Sequence, residues 1–87
     1  MNKEKTTVPY SDYEKGQLEL VDKMIENVYK ASTGKVSIWY HRYNFNGEYM
    51  LVILKGKNEW VRDNLRFDDF LHYVCDFCDI YFFLKRK

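Results

Sequence analysis

The chain has few of the residues that rigid loops and disulfide frameworks need: one proline, two cysteines and four glycines in 87 residues. Two cysteines, Cys75 and Cys78, are too few for the disulfide framework of a small secreted domain, so we expect reduced thiols. The glycines are isolated from one another, which excludes a glycine-rich phosphate-binding loop. Long apolar runs are also missing. The run from Ile80 to Leu84 is far shorter than the roughly 20 residues of a membrane span.

The chain also lacks an excess of charge of either sign. Fourteen Lys and Arg residues stand against 13 Asp and Glu, a net charge of +1, which argues against a protein that binds by neutralising many phosphates. Residues 1–16 are polar and charged, so we expect neither a secretory signal nor a membrane anchor, and a cytoplasmic location. We predict a flexible arm over residues 1–10, one domain over residues 11–84 and a basic tail over residues 85–87.

The first periodic segment predicts an amphipathic helix that begins after Ser11. Ser11 and Glu14 fit a capping box, in which the hydroxyl accepts the Glu14 amide and the carboxylate returns to the cap amide. Apolar residues then recur at helical spacing, at Leu18, Val21, Ile25 and Val28. Gly34 is the predicted end of this helix.

Two β-prone runs meet at Asn46-Gly47 and predict an antiparallel hairpin over residues 35–55. With a turn of two or four residues, strand alternation divides the side chains between two faces. One face would carry Trp39, His41, Tyr43, Met50, Val52 and Leu54. The other would carry Val36, Ile38, Tyr40, Tyr49, Leu51 and Ile53. Because both faces are apolar, we expect a helix, another chain or a ligand to cover each of them.

Residues 59–64 fit either a short third strand or the first turns of a second helix. Helical periodicity is plain from Phe67 onward, with apolar residues on one face and acidic residues on the other. We predict that this helix ends near Asp79, because a longer helix would put Phe83 on the acidic face, and that residues 80–84 return as a strand. The predicted fold class is therefore α+β, a small single domain with a helix, an antiparallel hairpin of two or three strands, and a helix.

This element order is similar to that of double-stranded RNA-binding domains. Such domains contact phosphate through a Lys-rich start of their last helix. Here the helix carries Asp68, Asp69, Asp76 and Asp79, and residues 67–84 contain no Lys or Arg. The resemblance is one of element order alone, and double-stranded RNA is not a predicted partner.

The side chains that could act in catalysis or bind a metal do not form a recognisable catalytic or metal site. His72, Cys75 and Cys78 would span about 9 Å along a helix, whereas zinc holds its ligands at roughly 2.0 to 2.3 Å. The two cysteines have the spacing of a dithiol redox site, but they lie inside a helix among aspartates, which raises a thiol pKa. Asp68 and Asp69 point about 100° apart on a helix. We therefore predict no enzymatic activity, no cofactor and no metal.

Aromatic residues are in excess: eight Tyr, six Phe and two Trp make up 18% of the chain, more than a core of this size encloses in full. Either the rings cover a small core edge-on, or some form a protein-binding face, since Tyr and Trp dominate binding hot spots. We favour the second interpretation and predict a small non-catalytic modulator or inhibitor that binds a host or cognate protein. The amino-acid bias is that of an AT-rich genome, which fits a phage or mobile element.

Two patches are candidates for contact with that partner. The first is the aromatic sheet face at Trp39, His41, Tyr43 and Met50. The second is the acidic helix stripe at Asp69, His72, Asp76 and Asp79, which either meets a basic surface or is simply solvated.

Two further hypotheses stay open at this point. A module for single-stranded nucleic acid would stack bases on the Trp39 face and place the basic tail on phosphates. Self-association is the other hypothesis, because Tyr13, Leu20 and Met24 widen the apolar arc of the first helix and would seat a second copy.

Overall fold

The computed structural model describes residues 7–85. Its elements, in chain order, are α1 (Asp12–Ala31), β1 (Val36–Tyr43), β2 (Glu48–Lys55), β3 (Asn58–Leu65) and α2 (Phe67–Lys85). The strands form one antiparallel sheet in the order β1-β2-β3. The predicted small α+β domain is confirmed, and residues 59–64 belong to a third strand.

Helix α1 begins as its sequence predicts. The Ser11 hydroxyl accepts a hydrogen bond of 3.0 Å from the Glu14 amide, which satisfies one of the free amides of the first turn. The stripe formed by Leu18, Val21 and Val28 is buried. The helix ends at Ala31, before Gly34.

The β1-β2 hairpin has a four-residue loop over residues 44–47, with Tyr43 opposite Glu48. Gly47 has a φ of +74°, which favours glycine, and its amide donates a 2.7 Å hydrogen bond to the Tyr43 carbonyl. The register pairs Trp39 with Val52 and Ile38 with Ile53. The predicted division of side chains between two faces is therefore confirmed.

Strand β3 follows a two-residue turn and contains a bulge. Gly56, the first turn residue, has a φ of +62°, as a type II′ turn requires. Leu51 pairs with Arg62, whereas Tyr49 pairs with Leu65, so β3 has one extra residue between these pairs. The bulge turns the Leu65 side chain into the core, where it is 9% exposed.

Both helices pack on the same face of the sheet. Helix α1 contacts β1, α2 contacts β2 and β3, and the helices contact each other. The buried core consists of Leu18, Val21, Val28, Val36, Ile38, Tyr49, Leu51, Ile53, Leu65, Phe70, Val74 and Cys78. All its hairpin residues come from the Ile38 face. No described element covers the face that carries Trp39.

The predicted end of α2 near Asp79 and the predicted strand over residues 80–84 are wrong, because the helix continues to Lys85. Tyr81 and Phe82 pack against the core, and no glycine or proline interrupts the segment. Phe83 is 60% exposed. An exposed ring on the polar side of a helix is tolerated when its neighbours bury apolar area.

Residues 8–10 of the predicted flexible arm contact the first hairpin. The Val8 amide donates a 2.7 Å hydrogen bond to the Asn44 carbonyl, and the Tyr10 ring lies under the Arg42 guanidinium, 4.1 Å from its carbon. The first six residues of that arm and the last two of the predicted basic tail lie outside the described residues. Lys85, the first residue of that tail, is the last residue of α2.

A buried ion pair joins α1 to the hairpin. Arg42 Nε donates to Glu14 Oε2 at 2.7 Å, and the Tyr49 hydroxyl donates to the same carboxylate. The other Arg42 nitrogens donate to Asn44 Oδ1 at 2.9 Å and to the Pro9 carbonyl at 3.4 Å. Glu14, which the sequence predicts only as a capping residue, is thus also the counter-ion of a buried arginine.

The pKa of Glu14 reflects this environment. Burial by itself raises the pKa of a carboxyl group. Hydrogen bonds from Arg42 and Tyr49, the Arg42 charge and the Ser11 amide outweigh burial, so the pKa of Glu14 lies below its ordinary value. The ionised form is therefore the one that the fold stabilises.

The ion pair makes stability depend on pH on the acid side. Because the pKa of Glu14 is lowered, the stability that its ionised carboxylate contributes is fully present above pH 4.5, the ordinary pKa. That stability is lost as the pH falls through the lowered pKa. We expect the thermal unfolding midpoint of the native chain to fall more steeply below pH 4.5 than that of Glu14→Gln. At pH 7 this variant should lose about 3 kcal/mol, because Arg42 stays buried without its counter-ion. Scanning calorimetry against pH measures both effects.

Glu26→Gln is the matched control. Its carboxylate pairs with Lys30 at 3.1 Å, but both side chains are more than half exposed. Such pairs contribute about 0–1 kcal/mol, so the control should keep the acid sensitivity of the native chain. Equal acid sensitivity of Glu14→Gln and the native chain would contradict the assigned role of Glu14.

Candidate functional site

The uncovered side of the sheet, which we call the open face, is the first candidate site. Strand alternation and register place on it Ser37, Trp39, His41, Tyr43, Glu48, Met50, Val52, Leu54, Glu59, Val61 and Asp63. Its centre is a row across all three strands, in which Val52 pairs with Trp39 on one side and with Val61 on the other. Apolar side chains therefore run the full width of the sheet.

The apolar side chains at the two ends of this row are more exposed than apolar side chains usually are. Trp39 is 61% exposed and Val61 is 48% exposed, while Met50, Val52 and Leu54 on the central strand are half-buried. Contiguous apolar area on the surface of a monomer is usually limited and marks interaction sites when it is extensive. The apolar side chains of the open face are contiguous across three strands, so this face is a candidate interaction site.

One end of the open face is polar and held in place by side-chain contacts. The Tyr43 hydroxyl donates to Asp63 Oδ2 at 3.3 Å and lies 3.9 Å from the Met50 sulfur. The His41 ring meets the Tyr43 ring edge-on, with 4.9 Å between centroids. Desolvation and the Asp63 carboxylate raise the pKa of the Tyr43 hydroxyl, so Tyr43 is a neutral hydrogen-bonding group at physiological pH.

The charges on the open face are of one sign. Glu48, Glu59 and Asp63 lie at its margins, and the strand positions on this face include no Lys or Arg. Arg42 and Arg62 occupy the alternate positions, so they belong to the helix-covered side. The site is therefore an apolar surface with an acidic margin.

The predicted site residues fall into two separate groups. Trp39, His41, Tyr43 and Met50 lie together on the open face. Asp69, His72, Asp76 and Asp79 are all exposed on α2, where His72 Nε2 lies 3.0 Å from Asp76 Oδ2. Because α2 covers the opposite side of the sheet, the two patches are separated by the thickness of the sheet.

The residues considered for self-association differ in exposure. Tyr13 is 61% exposed and Leu20 is 53% exposed, but Met24 is half-buried against the core. The Tyr13 ring also packs edge-on against Phe67 of α2, with 6.0 Å between centroids. Part of this arc therefore serves the contact between the helices.

The cysteines lie in surroundings that disfavour thiolate chemistry. Both are free; Cys78 is buried and Cys75 is half-buried. Burial, the neighbouring Cys75 and Asp79 raise the pKa of Cys78 to about 11, and burial with two aspartates raises the pKa of Cys75. Within residues 7–85, no three His, Cys, Asp or Glu side chains are grouped so that they could hold a metal ion.

The sequence interpretation missed the contribution of β3. Val61, Glu59 and Asp63 were not candidates because residues 59–64 were not assigned to a strand. Once that strand is assigned, alternation alone puts all three on one face. The available signal was the Gly56 turn after β2, which is typical of a second hairpin.

Comparison of the chain with protein-family models, with curated proteins and with solved structures finds no match. Neither α1 nor α2, over the residues described, has the length and apolar character that would let it cross a membrane.

Truncation of two adjacent residues of β1 should cost different amounts of stability. Ile38, which is 4% exposed, faces the core, so Ile38→Ala should cost about 2–5 kcal/mol. Trp39→Ala, on the open face, should cost less than about 1 kcal/mol despite the larger side chain removed. Urea unfolding followed by circular dichroism measures both. A larger loss for Trp39→Ala would show that the open face is covered in the native protein.

Proposed function

We propose that the protein is a small non-catalytic binding module that docks a partner protein on the open face. The observation that carries the proposal is the apolar row across the three strands, in which Trp39 and Val61 are exposed and Val52 is half-buried, while both helices lie on the other side of the sheet. A single ring on a surface needs no explanation, but a continuous apolar sheet face does.

The energetics of such a face favour protein binding. Burial of apolar surface contributes about 25 cal/mol per Å², and Trp and Tyr residues concentrate that contribution at the centre of interfaces. Trp39 has the largest apolar side chain of the row and lies at its β1 end, and Tyr43 is already oriented by Asp63. Little side-chain entropy is then lost at Tyr43 on binding.

The charges favour a particular kind of partner. Glu48, Glu59 and Asp63 surround an apolar centre, so the complementary surface has apolar residues flanked by Lys or Arg. The same carboxylates repel phosphate, which weighs against the alternative of bases stacked on Trp39. The acidic stripe of α2 is a second contact only for a partner that reaches around the sheet edge.

The role of modulator or inhibitor is supported by the small size of the domain and by its binding face. Its aromatic content and AT-rich bias support an origin in a phage or mobile element, with a host protein as the partner. The expected partner has a surface of apolar residues flanked by basic ones.

Affinity capture with matched variants tests the proposal. The baits are the tagged native chain, an open-face variant with Trp39→Ala and Val61→Ala, and a control with Leu20→Ala and Tyr29→Ala. The control residues are exposed to a similar degree on α1, at 53% and 51%. Each bait is exposed to nuclease-treated native lysate, and bound proteins are quantified by mass spectrometry.

We expect one protein to be recovered with the native and control baits and at least about tenfold less with the open-face variant, since hot-spot residues contribute 2 kcal/mol or more. Equal recovery with the open-face variant would contradict the proposal. Saturable binding of labelled single-stranded DNA or RNA at low salt, lost in Trp39→Ala, would favour the nucleic-acid alternative instead.

A further inference from the structure

The outer edge of β1 carries backbone groups that do not bond to β2. The Gly56 amide donates a 3.1 Å hydrogen bond to the Lys35 carbonyl, so the odd-numbered residues of β1 bond to β2, because bonded and non-bonded pairs alternate along an antiparallel ladder. The even-numbered residues therefore point their amides and carbonyls away from β2. Val36 shows this direction, because its amide donates to Ser32 Oγ at 2.9 Å.

Ile38 and Tyr40 are the even-numbered residues in the middle of this edge. The sheet order gives β1 one neighbouring strand, β2. Over residues 7–85, no loop or side chain bonds to the outward backbone groups of these two residues. The two sets of groups lie about 6.8 Å apart along the strand, which is the spacing at which an extended chain bonds to a sheet edge. This edge is therefore a template for an added strand.

The other edge of the sheet, β3, has features that oppose such pairing. It contains a bulge, and Glu59, Arg62 and Asp63 put charges along it. All eight residues of β1 pair with β2 in regular register, and its one formally charged side chain, Arg42, is turned inward to Glu14. Bulges and charges keep edge strands from pairing, so β1 is the edge that is open to a partner.

A groove runs along this edge on the helix side of the sheet. Its volume is about 340 Å³, and its lining combines residues of α1 and β1: Asp22, Ile25, Glu26, Tyr29, Ser37, Ile38 and Trp39. An added strand would place every second side chain on this side. The residue opposite Ile38 would enter the groove against Ile25, and its two neighbours in sequence would lie on the open face beside Trp39.

The lining of this groove carries negative charge. It contains the carboxylates of Asp22 and Glu26 and no Lys or Arg. Glu26 pairs with Lys30 on the surface of α1. Asp22 accepts a 2.7 Å hydrogen bond from the Tyr40 hydroxyl, which is a neutral donor, and over residues 7–85 it makes no salt bridge. A basic side chain beside Asp22 would thus compensate a charge that no cation of the described chain neutralises.

We propose that β1 accepts an extended segment of another protein as a fourth strand of the sheet. The segment carries an apolar side chain opposite Ile38, in the groove, and a Lys or Arg two residues away, opposite Tyr40 and beside Asp22. This site goes beyond docking on the open face, because it uses the backbone of β1 and the helix side of the sheet. The two sites share Ser37 and Trp39.

A second copy of the chain fits this site less well than a free segment does. Antiparallel pairing with β1 of a second copy would bring Ile38 and Tyr40 of that copy to the helix side. Both side chains already pack in their own core, so neither is free to fill the groove.

Selection from a random peptide display library on the immobilised full chain supplies the probe. The peptide that is enriched most is synthesised with blocked termini, together with a series that carries one N-methyl group at each successive backbone amide. N-methylation removes a backbone donor and keeps the side chain. Fluorescence anisotropy of the labelled peptides measures affinity, and ¹⁵N NMR of the protein records its amides.

We expect the enriched peptides to share an apolar residue and a Lys or Arg two positions away. N-methylation at alternate amides should weaken binding at least about tenfold, since each removes a hydrogen bond and blocks close approach of the strands. Methylation at the intervening amides should be tolerated, because they face away from β1. The Ile38 and Tyr40 amides should shift and exchange more slowly with solvent when the peptide is bound.

Matched variants separate this site from the rest of the surface. Asp22→Asn keeps an acceptor for Tyr40 but removes the charge, so it should weaken binding of the basic peptide about threefold. Glu19→Gln, an exposed carboxylate of α1 outside the groove lining, should have no effect. Val61→Ala, on the open face at the far strand, should also leave the affinity unchanged. Circular dichroism establishes that each variant is folded.

Four results would overturn the proposal: no enriched peptide, methylation effects without a period of two, slowed exchange in β3 instead of at Ile38 and Tyr40, or weaker binding by Val61→Ala. Slowed exchange of the Ile38 amide in the free chain that increases with protein concentration would identify a second copy as the occupant, and would overturn it too.

Discussion

The central strand places the Tyr49 ring against Phe70 of α2 and its hydroxyl against Glu14 of α1, so both helices are held to one face of the sheet. The stacked rings are 4.5 Å apart between centroids, and both side chains are fully buried. Arg42, on the same face, needs Glu14 as its counter-ion, because a buried guanidinium without a carboxylate is strongly destabilising. The first turn of α1 must therefore lie over this face.

This arrangement leaves the molecule with two different surfaces. The open face has an apolar centre and acidic margins and is suited to a partner with apolar and basic residues. The groove between α1 and β1 lies on the helix side of the sheet, where α1 leaves the outer edge of β1 uncovered. Both features have the same cause, because the molecule has only two helices and both pack on one face of the sheet. The other face therefore stays uncovered, and the helices do not span the whole width of the face on which they pack.

Much of the fold could be predicted from local sequence, whereas contacts between distant segments could not. Asn46-Gly47 and strand alternation predicted the hairpin and which residues share the Trp39 face. Nothing local in the sequence pairs Glu14 with Arg42, which lies 28 residues away. The end of α2 was mispredicted because Phe83 was expected to be buried, although packing of Tyr81 and Phe82 is enough to extend the helix. That β1 is an edge of the sheet depends on where β3 pairs, which local sequence does not show.

The proposed contact between a partner and Trp39 with its neighbours on the open face can be observed side chain by side chain. Hydroxyl-radical footprinting of the free protein and of the captured complex, read by mass spectrometry, tests it most directly because each aromatic side chain and methionine reports its own accessibility. We expect Trp39 and Met50 to become protected in the complex, while Tyr13 on α1, 61% exposed in the free chain, stays reactive. Unchanged reactivity of Trp39 in the complex would show that the partner does not contact the open face.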